Sequence, residues 1–161
     1  MQAATHLECY EFPDQPGNAS GKTLTCIVAE DDGADVLLLC KILGKCQASV
    51  RLYRVRDGVE LLAFLRTPPH RIRPDLVLLD LSMPLMDGRD ALVEIREDPN
   101  LAPLPVIVLT TSSSPDDVDF AYRNGANSYI TKHPDFDRFL NSIQLLIGYW
   151  RDAVQLPRVG A

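Results

Sequence analysis

Five short apolar runs, each closed by charged or turn-forming residues and separated from the next by an amphipathic stretch, constrain this chain more than any other feature. They are Leu24–Ala29, Val50–Val55, Leu76–Leu79, Val106–Leu109 and Ser128–Thr131. At four to six residues, and apolar on both faces, they suit strands covered on both sides. Between them the spacing predicts helices. Asp31 and Asp32 precede Val36, Leu37, Leu38, Cys40, Ile42 and Leu43; Asp57 precedes Leu61, Leu62 and Leu65; Asp87-Gly88 precedes Leu92, Val93 and Ile95. Acidic residues at these starts can accept the orphan N–H groups of a first helical turn. Pro99 and Pro103 stop the third helix, Ser114-Pro115 opens the fourth and Gly125 closes it. Phe136, Phe139, Leu140, Ile143 and Ile147 recur at three- and four-residue steps, a pattern that extends to Trp150.

Strands alternating with helices define an α/β chain with a doubly wound, five-stranded parallel sheet and helices on both faces. Right-handed crossovers leave few topologies, of which the flavodoxin-like order 2-1-3-4-5 is the expected one. The 161 residues suffice for one core without a disulfide or structural metal. Residues 1–22, with Pro13, Pro16, Gly17, Asn18, Ser20 and Gly21, read as a flexible N-terminal segment. The domain spans 23–148, and 149–161 form a C-terminal extension. Its Tyr149, Trp150, Val154 and Leu156 would be costly left wet, so with Phe139 and Ile143 they are expected to build a homodimer contact.

The charge balance excludes other roles. Twenty-two acidic residues against 16 basic ones give a net charge of −6, which disfavours nucleic acid and anionic lipid. Arg51, Arg54 and Arg56 come nearest to a basic patch and are expected to line a wet face. Cys9, Cys26, Cys40 and Cys46 lack paired metal-ligand spacing. With no leader and no apolar stretch near 18 residues, the expected compartment is the cytoplasm.

In such a sheet, ligands bind beyond the carboxyl ends of the strands. There stand Glu30-Asp31-Asp32, Asp80, Thr110-Thr111 and Lys132. Two carboxylates about 4 Å apart repel by roughly 4 kcal/mol at an effective dielectric of 20, so a positive group belongs among them. Lys132 is one; Mg²⁺, which takes one or two carboxylates and keeps waters for a phosphate, is the other. At least one acid should titrate above a free carboxyl. Asp80 closes the apolar run Leu76-Val77-Leu78-Leu79, where an unpaired charge is penalised. It makes sense as a nucleophile that takes a phosphoryl group to form an aspartyl-phosphate. Thr110, by its hydroxyl, and Lys132, by its charge, then hold the phosphoryl oxygens.

Ile27-Val28-Ala29-Glu30-Asp31-Asp32, Leu76 to Gly88, Val106 to Ser112 and Tyr129-Ile130-Thr131-Lys132 resemble the receiver domain of two-component response regulators, over about Thr23 to Ile147. The tail with Tyr149-Trp150 and Leu156-Pro157 is similar to that of single-domain regulators that partner bacterial phytochrome kinases. The resemblance implies a phosphorelay phosphoprotein rather than an enzyme, with Asp80 accepting the group from a sensor histidine kinase, a bacteriophytochrome among the candidates, or a phosphotransfer protein. It further implies that Asp31 ligates Mg²⁺ directly, Glu30 through water and Ser82 by its carbonyl, with Asp80 completing the set. Thr110 would follow the phosphoryl group inward and Tyr129 would swing into the vacated space; Thr111 and Ser112 would control access.

Two positions depart from the family. His133 stands where a Pro, with a cis bond that aims the ammonium, usually follows the lysine, so the loop must be strained or take another path. Thr111 exceeds the small residue usual there and is expected to alter phosphoryl lifetime. A haloacid-dehalogenase-like phosphatase would need a second Asp two residues after the nucleophile, where Ser82 stands. A flavin-binding module would need a phosphate-cradling loop where Glu30-Asp31-Asp32 stands.

Overall fold

The five apolar runs become five parallel strands, and a sixth strand joins them at one edge. The structure, a computed structural model, describes residues 7–17 and 21–158, the side chain of His70 excepted. In chain order the strands are β1 (Glu8–Phe12), β2 (Leu24–Ala29), β3 (Val50–Val55), β4 (Leu76–Leu79), β5 (Val106–Thr110) and β6 (Ser128–Thr131). The helices are α1 (Gly33–Leu43), α2 (Gly58–Arg66), α3 (Gly88–Glu97), α4 (Pro115–Arg123) and α5 (Phe136–Gly148). The sheet order is β1-β3-β2-β4-β5-β6. With β1 set aside, this is 2-1-3-4-5, and all those pairings are parallel.

Four of the five helices start on an aspartate cap. Asp32 accepts from the Ala34 amide, Asp57 from Glu60, Asp87 from Asp90 and Asp135 from Arg138, each satisfying an orphan N–H. α4 starts instead with Pro115, whose missing N–H costs nothing there. Gly125, at φ +86°, ends it in the left-handed conformation. No described helix is long and apolar enough to cross a membrane.

The sheet divides the core in two. On one face Ile27, Val77, Leu79, Val106 and Val108 pack with side chains of α2 and α3 and with Ala121 of α4. On the other, Cys26, Val28, Leu78, Ile107 and Leu109 pack with α1 and α5. Phe139 and Ile143 are buried here, at 2% and 0% exposure, and so face their own domain rather than a second copy. Trp150 and Leu156 also pack against this cluster. Beyond α5 the chain makes a π-helical turn, Tyr149–Ala153, in which Arg151 is buried and donates to the Lys22 carbonyl at 2.9 Å and to Asp14 at 2.5 Å.

The flexible N-terminal segment needs correction. Residues 1–6 and 18–20 lie outside the described part, but Glu8–Phe12 pairs antiparallel with β3, turning Tyr10 and Phe12 toward the core. Pairing satisfies the open edge that β3 would otherwise present. Opposite charges meet directly across the strands, Glu8 against Arg54 and Glu11 against Arg51. Arg54 therefore does not line a wet face: its side chain is only 10% exposed.

α3 is pressed against the end of β4. A Cβ on Gly88 would collide with the Asp80 carbonyl oxygen and sit 2.8 Å from the Leu81 Cα, both backbone atoms that cannot rotate away. Gly88→Ala should therefore destabilise the protein by about 1–3 kcal/mol, the usual cost of overpacking. Urea unfolding checks this; an unchanged midpoint would mean that α3 does not rest on the strand end.

Candidate functional site

Parallel pairing delivers the functional side chains to one rim, because the sheet's ladder continues past the strand ends. The Asp80 amide donates to the Ala29 carbonyl at 3.1 Å, and the Lys132 amide to the Thr110 carbonyl at 2.7 Å. Glu30, Asp80, Thr110 and Lys132 thus stand side by side although up to 102 positions separate them. Glu30, Asp80 and Thr110 are buried, at 3%, 8% and 1% exposure.

Lys132 is the centre of the site. Its Nζ donates to Asp80 Oδ2 at 2.9 Å, to Asp35 Oδ2 at 2.9 Å and to Glu30 Oε2. The other Asp80 oxygen accepts the Ser82 amide at 3.0 Å, and the other Glu30 oxygen accepts the Asp32 amide at 3.0 Å. Among the described residues no peptide bond is cis, so with His133 in the usual proline position the chain takes the other path and still aims the ammonium at Asp80. His133 caps the turn that follows, accepting from the Asp135 amide at 3.0 Å.

Burial and sharing pull the charges apart in pKa. Burial, with a hydrogen bond to Asp80, pushes Glu30 up to about 7 against the pull of Lys132. Asp80 goes the other way: although burial opposes its charge, hydrogen bonds from Glu30, Lys132 and the Ser82 amide hold it below the ordinary aspartate value. Burial works against the Lys132 ammonium, but its three carboxylate partners raise it further than burial lowers it. One of the clustered acids does titrate high, more through desolvation than through repulsion.

The cluster fits a hard divalent cation. Glu30, Asp35 and Asp80 each offer a carboxylate oxygen, and these oxygens lie within 4.8 Å of one another; all-oxygen donors of this kind suit Mg²⁺ or Mn²⁺. Asp35, in the first turn of α1, is the member that sequence reasoning missed. Its spacing from Glu30 gives no signal by itself; only the path of the chain into α1 turns it back over the rim. Asp31 lies outside this group: it is exposed, and its backbone carbonyl accepts from Arg54. Ser82 is brought to the site through its amide.

The flanking residues form a second network. The Tyr129 hydroxyl donates to the Ser112 carbonyl at 2.9 Å, the Ser112 amide to Thr110 Oγ1 at 3.4 Å, and the Ser112 hydroxyl to Asp117 at 2.6 Å. Asp117 is also held by Arg89 of α3 at 2.5 Å. Thr111 is exposed beside them, on the solvent side of the rim. Leu85, in the loop after Asp80, has φ 62° and is 89% exposed.

A buried acid–lysine site at the carboxyl rim of a sheet in this order defines a class of phosphoryl-accepting signalling domains. The profile of the response regulator receiver domain family matches residues 26–144, and the chain belongs to that family. It is 37% identical over 134 residues to "Response regulator Rcp1" of Synechocystis sp., covering 81% of this chain and 91% of that protein. The crystal structure of the Mn²⁺-bound form of Rcp1 superposes with a TM-score of 0.76 at 36% identity, over 84% of this chain and 99% of that one. That of the phosphorylated cyanobacterial phytochrome response regulator RcpA does so with 0.78 at 35%, over 85% and 100%. Nothing in these relatives favours a phosphatase.

Glu30 gives the metal-free protein a definite pH dependence. Its folded pKa lies above the 4.5 of a free glutamate, so its contribution to stability is complete below that value and is lost as pH rises through about 7. Asp80, shifted downward, acts in a lower window. In EDTA the melting temperature should fall between about pH 5 and about pH 8, and Glu30→Gln should remove most of that fall. Parallel curves for the two proteins would show that Glu30 does not carry it.

Proposed function

We propose that Asp80 is the phosphoacceptor of a single-domain response regulator, taking its group from the phosphohistidine of a sensor histidine kinase or phosphotransfer protein. The observation that carries this reading is the state of the Asp80 carboxylate: buried, kept ionised, with one oxygen on Lys132 and the other on the Ser82 amide. An Asp80 oxygen attacks phosphorus, the P–N bond to the donor breaks, and the imidazole leaves with the electron pair. Lys132, freed from part of its carboxylate set, and the Thr110 hydroxyl then hold the phosphoryl oxygens. A bound Mg²⁺ held by Asp80, Glu30 and either Asp31 or Asp35, with the Ser82 carbonyl, would supply the charge neutralisation that an anion needs to approach this acidic rim.

The signal is a change in protein contacts. Phosphorylation adds charge and acceptor oxygens beside Thr110. The hydrogen bonds that Ser112 donates to Thr110 and Asp117 and accepts from the Tyr129 hydroxyl give that change a route to α4 and the Tyr129 side chain, a two-state element biased by the modification. We assign 23–148 as the receiver unit and place the exchange in the cytoplasm. The likeness to Rcp1 and to the phytochrome regulator RcpA supports a bacterial phytochrome-type kinase as donor. The C-terminal face supports a homodimer: Leu145 and Tyr149 are 66% and 55% exposed beside a groove of about 460 Å³ lined also by Ser128, Ile130 and Trp150.

Incubation with acetyl phosphate and Mg²⁺ should add about 80 Da, one phosphoryl group, and Asp80→Asn should abolish the gain. Steady turnover of a phosphate ester would instead support a phosphatase. Thr111→Ala should change the decay rate of the phosphorylated protein; identical decay would remove Thr111 from any role in access. Light scattering at micromolar concentration should report a dimer that Leu145→Asp dissociates.

A further inference from the structure

The residues that hold the acidic rim in place reach beyond it to the N-terminal strand. Arg54 of β3 is the link. Its Nε donates to the Glu30 carbonyl at 3.1 Å, its Nη2 to the Asp31 carbonyl at 2.9 Å, and its Nη1 to Glu8 Oε2 of β1 at 3.1 Å. One planar fork therefore joins the backbone of two adjacent acidic residues to the arm, a task that the single ammonium of a lysine cannot perform. The position is electrostatically awkward. A Cβ on Gly33 would lie 3.9 Å from both Nη atoms, so the guanidinium sits at the first residue of α1, where the helix presents its positive end. Glu8 supplies the compensating charge. Its own place is fixed by Arg56 at 2.7 Å and by the Tyr10 hydroxyl at 2.9 Å, and these partners with Arg54 hold its carboxyl down to about 2.

We propose that Glu8 and Arg54 are positioning residues for the phosphoryl-transfer site: the β1 arm, through Arg54, pre-organises the Glu30–Asp31 backbone so that its acids face an incoming cation. Burial of the Arg54 side chain and direct registry of Glu8 opposite Arg54 support the arrangement. β1 precedes the stretch that the family profile matches, whereas Arg54 lies inside it, so the arm that carries Glu8 lies outside the part of the chain that the family model covers. The inference rests on the reading of the rim as a cation and phosphoryl site. Its physical basis is the general one that groups outside the ligand set orient the ligands and raise affinity by removing the cost of ordering them.

The test uses the full chain and two measurements. In the first, the Mg²⁺ dissociation constant is read by calorimetry, and the Mg²⁺ concentration giving half-maximal phosphorylation by acetyl phosphate is read beside it. Arg54→Lys should weaken Mg²⁺ about tenfold, the low end of what loss of an orienting hydrogen bond costs a metal site, with the rate at saturating Mg²⁺ nearly unchanged. Glu8→Gln should weaken it about two- to fivefold, the range of a partly exposed ion pair, and should add nothing in the Arg54→Lys background. Glu11→Gln, which breaks the other β1–β3 ion pair, should leave it unchanged. In the second, hydrogen exchange in EDTA should quicken at the Asp31, Asp32 and Gly33 amides in Arg54→Lys and Glu8→Gln, and not in Glu11→Gln. If Arg54→Lys fails to fold, Glu8→Gln against Glu11→Gln decides. Wild-type Mg²⁺ affinity and exchange in Glu8→Gln would overturn the proposal, whereas absence of Mg²⁺ binding or phosphorylation in the wild type would overturn the underlying reading of the site.

Discussion

Lys132 holds together a set of carboxylates that would otherwise repel one another. Glu30, Asp35 and Asp80 come from the ends of two strands and the first turn of a helix, and each contributes an oxygen to one ammonium. The arrangement is possible because the parallel sheet stops there and the apolar packing of both its faces holds the strand ends, and with them the like charges, in place. It also explains how the chain can be charged at all in a place so little exposed. Three acids against one base leave an excess of negative charge, which a cation relieves and a phosphoryl group reorganises.

Around this centre the molecule has two further layers of control. On one side Thr110, Ser112, Asp117, Arg89 and Tyr129 form a chain of hydrogen bonds from the strand end to α3 and α4. A change of charge at Asp80 meets a directional network there rather than solvent. On the other side Arg54 ties the acidic turn to β1. Arg151, buried at the far end of α5, ties Asp14 and Lys22 to the C-terminal turn. Arg54 thus fastens β1 to the acidic turn, and Arg151 fastens the stretch around Asp14 and Lys22 to the C-terminal turn, each through a fork that can serve several oxygens at once.

Much of this was legible without coordinates because it depends on local rules. Asp32, Asp57 and Asp87 are caps whose chemistry acts within three residues, and Gly125 is of the one residue type that enters φ +86° without penalty. The rim residues Glu30, Asp80, Thr110 and Lys132 could be found because each stands at the end of an apolar run. What stayed hidden was contact at a distance. β1 is five residues amid turn-formers, and its alternation of Glu8, Tyr10 and Phe12 with Cys9 and Glu11 takes on meaning only against the charges of β3. Asp35 is, by its local sequence, an ordinary acidic residue of a first helical turn. Phe139 and Ile143 lie on a helical stripe that sequence cannot assign to the core or to a partner.

The sequence by itself determined the kind of layer structure, the order of its parts and the chemistry at the ends of its strands, because periodicity, capping and strand length are short-range properties of a chain. The tertiary structure alone decided which carboxylates share Lys132, which arginine is buried and where the N-terminal strand pairs. Those depend on directions in space that a residue's own neighbours do not fix.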